Sequence, residues 1–351
     1  MSWMGLTAIP TLFYHEADRH RVLQPYPWLD GLCRWDCGWF DRIVREGYAT
    51  VEHAKVFPLF AYAGKALEQL FGINHLVAFI LLANLASLAS YVLIYKLFRE
   101  LEDEAAARTA MLLFTAFPFH YYQAAGYPES TMVLATVGSI MLARSGKHLS
   151  SGVALTLGFA ARHLTLAGGA GLLAAQLRQR GFNPKRFLLS PAVLALVMPW
   201  LFLLAFSWYL GEKTGDPMAW WNSRRIGWND WVWYGARQVL LYVPYHERPE
   251  YFFYLCFALL LLAGGVGLGL ALWRRRWEYA EISAFGLVLL AVVLSSGAAG
   301  MGRYLASIWP CFLPLGVWLA RRPTLQGATL GLLFLFQGMW FFLFTHQWRV
   351  L

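Results

Sequence analysis

The sequence predicts an all-α, polytopic transmembrane protein, and three observations carry the prediction. Of 351 residues, 58% are hydrophobic and 14% charged, whereas a soluble domain carries about 25% charged residues. The mean hydropathy is +0.46. Uncharged runs recur that suffice for a spanning helix, which needs roughly 20 apolar residues because lipid offers no partner to backbone polar groups. The short segments between these runs collect Lys and Arg, as cytoplasmic loops do.

The formal charge of +9 and the pI of 9.4 would suggest nucleic acid as partner in a soluble chain. Here the basic loops account for the charge, and no nucleic acid is expected. Seventeen Trp and seventeen Tyr suit interfacial belts. The four cysteines lack zinc-site spacing. Cys33 and Cys37 bracket Asp36 and are expected to cross-link only if that loop faces an oxidising compartment.

Residues 1–14 are apolar but short for a span and lack a signal-peptide pattern, so they read as a shortened first helix. Residues 15–55 are polar. Residues 57–72 are amphipathic, with Lys65 and Glu68 on one face, as in a helix lying in the interface. Residues 76–95 carry no charge and form a span ending at Lys96 and Arg99. Residues 109–128 return to Tyr127-Pro128-Glu129-Ser130, and 130–143 run to Arg144 and Lys147.

Residues 148–177 are apolar but interrupted by Arg162-His163, with basic residues at both ends. One straight helix cannot have both ends in the cytoplasm. Two short helices meeting near Arg162 can, provided the broken backbone is buried in protein or lines a wet cavity. Residues 187–211 then go out to a loop with Trp220, Trp221, Arg224, Arg225, Trp228, Trp231 and Trp233. Further runs at 251–273, 282–302, 305–320 and 324–344 complete about ten crossings or partial crossings. The domain reading is one transmembrane unit over 1–351. Residues 15–74 form its first extracytoplasmic loop with the interfacial helix, and 212–250 form the Trp-rich loop. No internal repeat is evident.

With basic loops inside, the opposite face receives Asp36, the Tyr127–Glu129 turn, Arg162, the Trp-rich loop and Arg303-Tyr304. All the unusual polar features fall on one side, which points to a single extracytoplasmic site.

The most specific stretch is Arg34-Trp35-Asp36-Cys37-Gly38-Trp39-Phe40-Asp41-Arg42-Ile43, followed by Glu46-Gly47-Tyr48 and Phe57-Pro58-Leu59-Phe60. It resembles the PIG-V-like mannosyltransferases of the GT-C class. Tyr127-Pro128-Glu129-Ser130 resembles that family's Tyr-x-Glu-Ser turn, and Arg162 and Arg303-Tyr304 resemble its later Arg elements. Departures at Phe60 and at His163-Leu164-Thr165 bear on acceptor and sugar rather than on reaction class.

The resemblance implies an inverting hexosyltransferase that takes mannose from a polyprenyl-phosphate donor on the extracytoplasmic side and gives it to a lipid- or glycan-linked acceptor. Such a displacement needs one carboxylate to deprotonate the acceptor hydroxyl, whereas a lipid phosphate leaves as an anion and needs positive charge instead. Asp36 is the candidate base. Arg162, Arg303, Lys55 and His53 are the candidate phosphate ligands. Trp35, Tyr127, Glu129, Tyr304, Trp221 and Arg224 are candidate substrate contacts.

The plainer readings are a solvated or Arg34-paired Asp36, and an Arg162 that caps the C-terminus of a half-helix. His53 and His163 read equally as interfacial histidines. Five Trp within 220–233, with Arg224 and Arg225 among them, suit either anchoring or stacking on a sugar or carrier lipid. Asp41 with Asp36 offers a divalent-metal reading, but a salt bridge from Asp41 to Arg45 is favoured and no cofactor is expected. The competing function is a transporter or flippase of lipid-linked saccharides, which would call for mid-membrane charges and inverted repeats. The expected location is the bacterial inner membrane with the site facing the periplasm.

Overall fold

Asn74 accepts a hydrogen bond from the Leu76 backbone N–H, and from this cap the first uncharged run continues as a helix of 27 residues, His75–Leu101. The computed structural model describes residues 23, 26–223, 250–295 and 300–345. The readings of residues 1–14, of Arg224 and of most of the Trp-rich loop lie outside the described residues. In chain order the helices are α1 (Pro27–Asp30), α2 (Cys37–Glu46), α3 (Pro58–Phe71), α4 (His75–Leu101), α5 (Glu104–Ala116), α6 (Glu129–Arg144), α7 (His148–Ala161) and α8 (Gly168–Gln179). They continue as α9 (Pro184–Leu188), α10 (Ala192–Thr214), α11 (Ala219–Asn222), α12 (Glu250–Trp273), α13 (Ala280–Ser295), α14 (Met301–Leu305), α15 (Phe312–Ala320) and α16 (Pro323–Thr345). No strand occurs among the described residues. The chain is an all-helical integral membrane protein.

Five of these stretches are long and apolar enough to cross a bilayer: α4, α10, Phe252–Trp273, Trp277–Ser295 and α16. Other apolar runs of the sequence fall on shorter helices among the described residues. The run 109–128 is one of these, for two reasons. Its helix starts early, at Glu104, where Asp103 accepts from the Ala106 N–H. It then stops at Ala116, because Pro118 excludes the helical conformation at Phe117, which takes ψ 133°. The run 305–320 likewise begins where α14 ends and reaches α15 only after a 3-10 turn at Trp309–Cys311 that contains Pro310.

The break expected in 148–177 is present. α7 ends at Arg162, whose extended backbone (φ −155°, ψ 125°) leads into a 3-10 turn, His163–Ala167, and then α8. The helices around it approach closely at small residues. A Cβ on Gly152 would lie 2.5 Å from the Ala195 Cα, which brings α7 onto α10, and one on Gly316 would lie 2.6 Å from the Ala110 backbone N, which brings α15 onto α5.

Polar groups gather at the two ends of α6, roughly 22 Å apart at 1.5 Å per residue. At its C-terminal end Arg144 lies 3.3 Å from both Glu281 and Glu100, and Arg178 lies 2.6 Å from the fully buried Glu281. Arg276 joins the same end of the molecule through Glu102, at 2.6 Å. The N-terminal end begins with Glu129 and belongs to the site.

Candidate active site

The Trp35–Asp36 turn is fixed before its side chains are placed. Arg34 pairs with Asp30 at 2.6 Å, and its Nε donates to the Thr345 carbonyl at the end of α16. Cys33 and Cys37 form a disulfide with their Cα atoms 5.2 Å apart. The Tyr127 hydroxyl donates to the Arg34 carbonyl at 2.7 Å and accepts from the Asp36 N–H at 3.1 Å. Asp36 is the N-cap residue of α2, yet its carboxylate makes no capping bond. It is paired with Arg303 instead.

Arg303 stands in the one-turn helix α14, after the left-handed Gly300, and its Nε lies 3.6 Å from Glu129 Oε1. Arg162, at the break after α7, places Nη1 2.9 Å from the same oxygen. The four charges therefore alternate as Asp36, Arg303, Glu129, Arg162, drawn from α2, α14, α6 and the α7 break. The Tyr304 ring faces both guanidiniums, at 5.1 Å from Arg162 and 5.0 Å from Arg303, and its hydroxyl accepts from Arg303 at 3.2 Å. Glu129 is fully buried, whereas the Asp36 side chain is 19% exposed. Asp36 is thus the most exposed member of the cluster.

Burying charge is tolerated where each is paired, and removing one partner leaves an uncompensated ion. Arg162 uses its charge on Glu129 across the site, although its backbone sits at the cap of α7. Glu129 bridges the two arginines. Tyr127 is fully buried, with its hydroxyl engaged by the turn. It positions Asp36 from behind. Trp35 is half-buried, and its indole N–H is buried without a hydrogen-bond partner among the described residues.

His53 and Lys55 lie on the 3-10 turn Val51–Lys55. His53 Nδ1 meets the Gly47 carbonyl at 2.9 Å, and Lys55 lies 3.1 Å from Glu52 and 3.4 Å over the Trp39 ring. α11 rests on the 3-10 turn Val51–Lys55 that carries them. Within α11, Trp220 donates to Ser207 and meets the exposed Trp221 edge-on.

Asp41 pairs with Arg45 at 2.7 Å, and also with His75, which the sequence did not suggest. His75 Nε2 is 2.6 Å from Asp41 and its Nδ1 2.8 Å from Glu68, so one ring ties α2, α3 and the start of α4 together. Burial works against the Asp41 charge, but hydrogen bonds from His75 and Arg45 outweigh it and hold the carboxyl below its ordinary value. The His75 hydrogen bond lowers Glu68 too. No group of three or more His, Cys, Asp or Glu arranged for a metal occurs among the described residues.

The fold is GT-C-like. The chain is similar to ArnT from Cupriavidus metallidurans in the apo state, at 16% identity and a TM-score of 0.50, over 83% of this chain and 55% of that one. It is also similar to the Archaeoglobus fulgidus oligosaccharyltransferase solved with Zn and sulfate, at 13% identity and a TM-score of 0.48, over 99% of this chain and 53% of that one. The chain thus spans about half the length of each. Residues 52–203 match the family described as dolichyl-phosphate-mannose-protein mannosyltransferase. That segment includes Glu129 and Arg162; Asp36 precedes it and Arg303 follows it. No curated protein matches the chain.

Proposed function

We propose that the protein is an inverting glycosyltransferase that moves mannose from a polyprenyl-phosphate donor to a hydroxyl of a lipid- or glycan-linked acceptor. The observation that carries this reading is the alternating cluster of Asp36, Arg303, Glu129 and Arg162, whose most exposed member is a carboxylate. The match of residues 52–203 and the PIG-V-like motif at Asp36 support the same reading.

The chemistry follows from the charges. At rest Arg303 neutralises Asp36. An arriving phosphate offers the planar guanidinium a competing anion, bound through charge-assisted hydrogen bonds. Arg303 then turns from Asp36 to the phosphate, with Arg162 and Tyr304 beside it. The freed Asp36 accepts the proton of the acceptor hydroxyl as that oxygen attacks the anomeric carbon from the face opposite the phosphate. The C–O bond to phosphate breaks, its electrons stay on the phosphate oxygen, and the anion remains with the arginines. The unpartnered indole N–H of Trp35, next to the base, is a donor for an acceptor oxygen. Trp221 and Arg224 remain candidate contacts for sugar or carrier, and Lys55 and His53 for an outer part of the donor.

The site faces the periplasm of a bacterial inner membrane in this reading, with the Arg144 end in the cytoplasm. The test is incubation of membranes containing the protein with radiolabelled polyprenyl-phosphate mannose. Label should pass to an acceptor with inverted anomeric configuration, and Asp36→Asn should abolish the transfer. Movement of intact donor across the bilayer without any transfer would establish the flippase reading instead.

A further inference from the structure

The contacts that orient Asp36 converge on the five residues closed by the Cys33–Cys37 disulfide. Both cysteines are fully buried. Inside the ring, Trp35 has φ +51°, a left-handed conformation that residues with a side chain adopt at a cost. The Tyr127 hydroxyl bridges the backbone on either side of Trp35. The Cys37 sulfur rests on the segment that supplies this tyrosine. The Gly126 N–H donates to the Leu32 carbonyl at 2.8 Å, and a Cβ on Gly126 would come within 3.1 Å of the Cys37 sulfur.

We propose that the Cys33–Cys37 disulfide is a positioning device for Asp36, holding the left-handed Trp35 turn so that the carboxylate faces Arg303 rather than capping α2. The assignment builds on the reading of Asp36 as the base. Without the cross-link, Trp35 relaxes to a right-handed or extended backbone, and the Asp36 carboxylate is free to take the capping bonds at the start of α2 that N-terminal aspartates favour. A loop of this length removes little entropy from the unfolded chain, so the bridge acts on local geometry more than on global stability. Such a bridge persists only in an oxidising compartment, which fixes the side of the membrane on which the Asp36 end must lie.

The test compares purified wild-type protein with C33A/C37A. Alkylation of the unfolded wild type without reductant should label only Cys256 and Cys311, and all four cysteines after reduction. In C33A/C37A the peptide covering residues 34–40 should exchange amide hydrogen faster, and kcat should fall about 10- to 100-fold, as a small misplacement of a reacting group does. KM for the donor lipid should not rise, since Arg303 and Arg162 both remain in place for the phosphate. If C33A/C37A does not fold, wild-type protein reduced after folding, with four alkylatable thiols, gives the same two readouts. Four free thiols in the untreated protein, or equal exchange and equal kcat with and without the bridge, overturn the proposal. A wild-type protein that transfers no sugar sinks the proposed function, while the exchange measurement still decides whether the bridge holds the turn.

Discussion

At the residue scale the decisive fact is that Asp36 is paired and still within reach of solvent, because its partner Arg303 is shared with the deeper Glu129. Base catalysis by a positioned side chain is worth on the order of 10² to 10⁴ in rate. Asp36→Asn should therefore reduce turnover by that factor while the protein still folds and binds donor lipid; near-full activity would remove the base assignment. Asp41→Asn, whose carboxylate serves Arg45 and His75, should lose far less. Glu129→Ala takes the carboxylate away from the buried Arg162 guanidinium, and breaking a buried pair from one side costs about 3–5 kcal/mol. Its melting temperature in detergent should drop sharply. The double variant E129A/R162A, with one cation fewer left unpaired, should recover part of that loss. Arg303→Lys keeps charge but loses the planar fork, so donor binding should weaken; unchanged binding in both Arg303→Ala and Arg162→Ala would show that neither holds the phosphate.

At the scale of elements, α2, α3 and α4 are joined at their polar ends by Asp41, His75 and Glu68, and at their apolar faces by Phe40, Phe60 and Phe79. The Asp41 contribution has a definite pH dependence. Its folded-state pKa lies below the ordinary 3.8, so the stabilisation is complete above that value and is lost as pH falls through the lower, folded value. Wild-type protein should thus lose thermal stability on acidification more steeply than Asp41→Asn, and parallel pH profiles for the two would count against the His75 and Arg45 contacts. On another side of the site, α7, which ends at Arg162, lies close against α10 at Gly152. Gly152→Leu should push the two helices apart and lower both stability and activity.

At the scale of the whole molecule the helices deliver two polar layers, with Asp36, Glu129, Arg162 and Arg303 at one and Arg144, Arg178, Glu281 and Arg276 at the other. A cysteine at the exposed Thr50 should react with a membrane-impermeant thiol reagent applied from outside intact cells, in a Cys256→Ala background. One at the exposed Lys147 should react only after permeabilisation. The reverse pattern would place the site in the cytoplasm. Thr165, at the same break as Arg162, is a poor reporter because it is buried with its hydroxyl bonded to Gly158.

The sequence by itself determined the class and the layout. Charge-free runs can be stable only as helices in lipid, and the recurrence of Arg and Lys between them set which ends lie together. The break at Arg162 was legible for the same reason, since basic residues flank 148–177 on both sides. The division of 109–128 and 305–320 into shorter pieces was written in Pro118 and Pro310, but hydropathy runs straight through a proline. Who pairs with whom was decided only by the tertiary structure. Asp36 and Arg303 are separated by 267 residues, and no local pattern ties such a pair together. His75 reads as one polar residue at the start of an apolar helix until α2 and α3 place carboxylates on both of its ring nitrogens. Tyr127 carries the same lesson: its motif marks it for the site, while its burial turns the hydroxyl to the Asp36 backbone, because a buried polar group takes whichever partner the fold brings within reach.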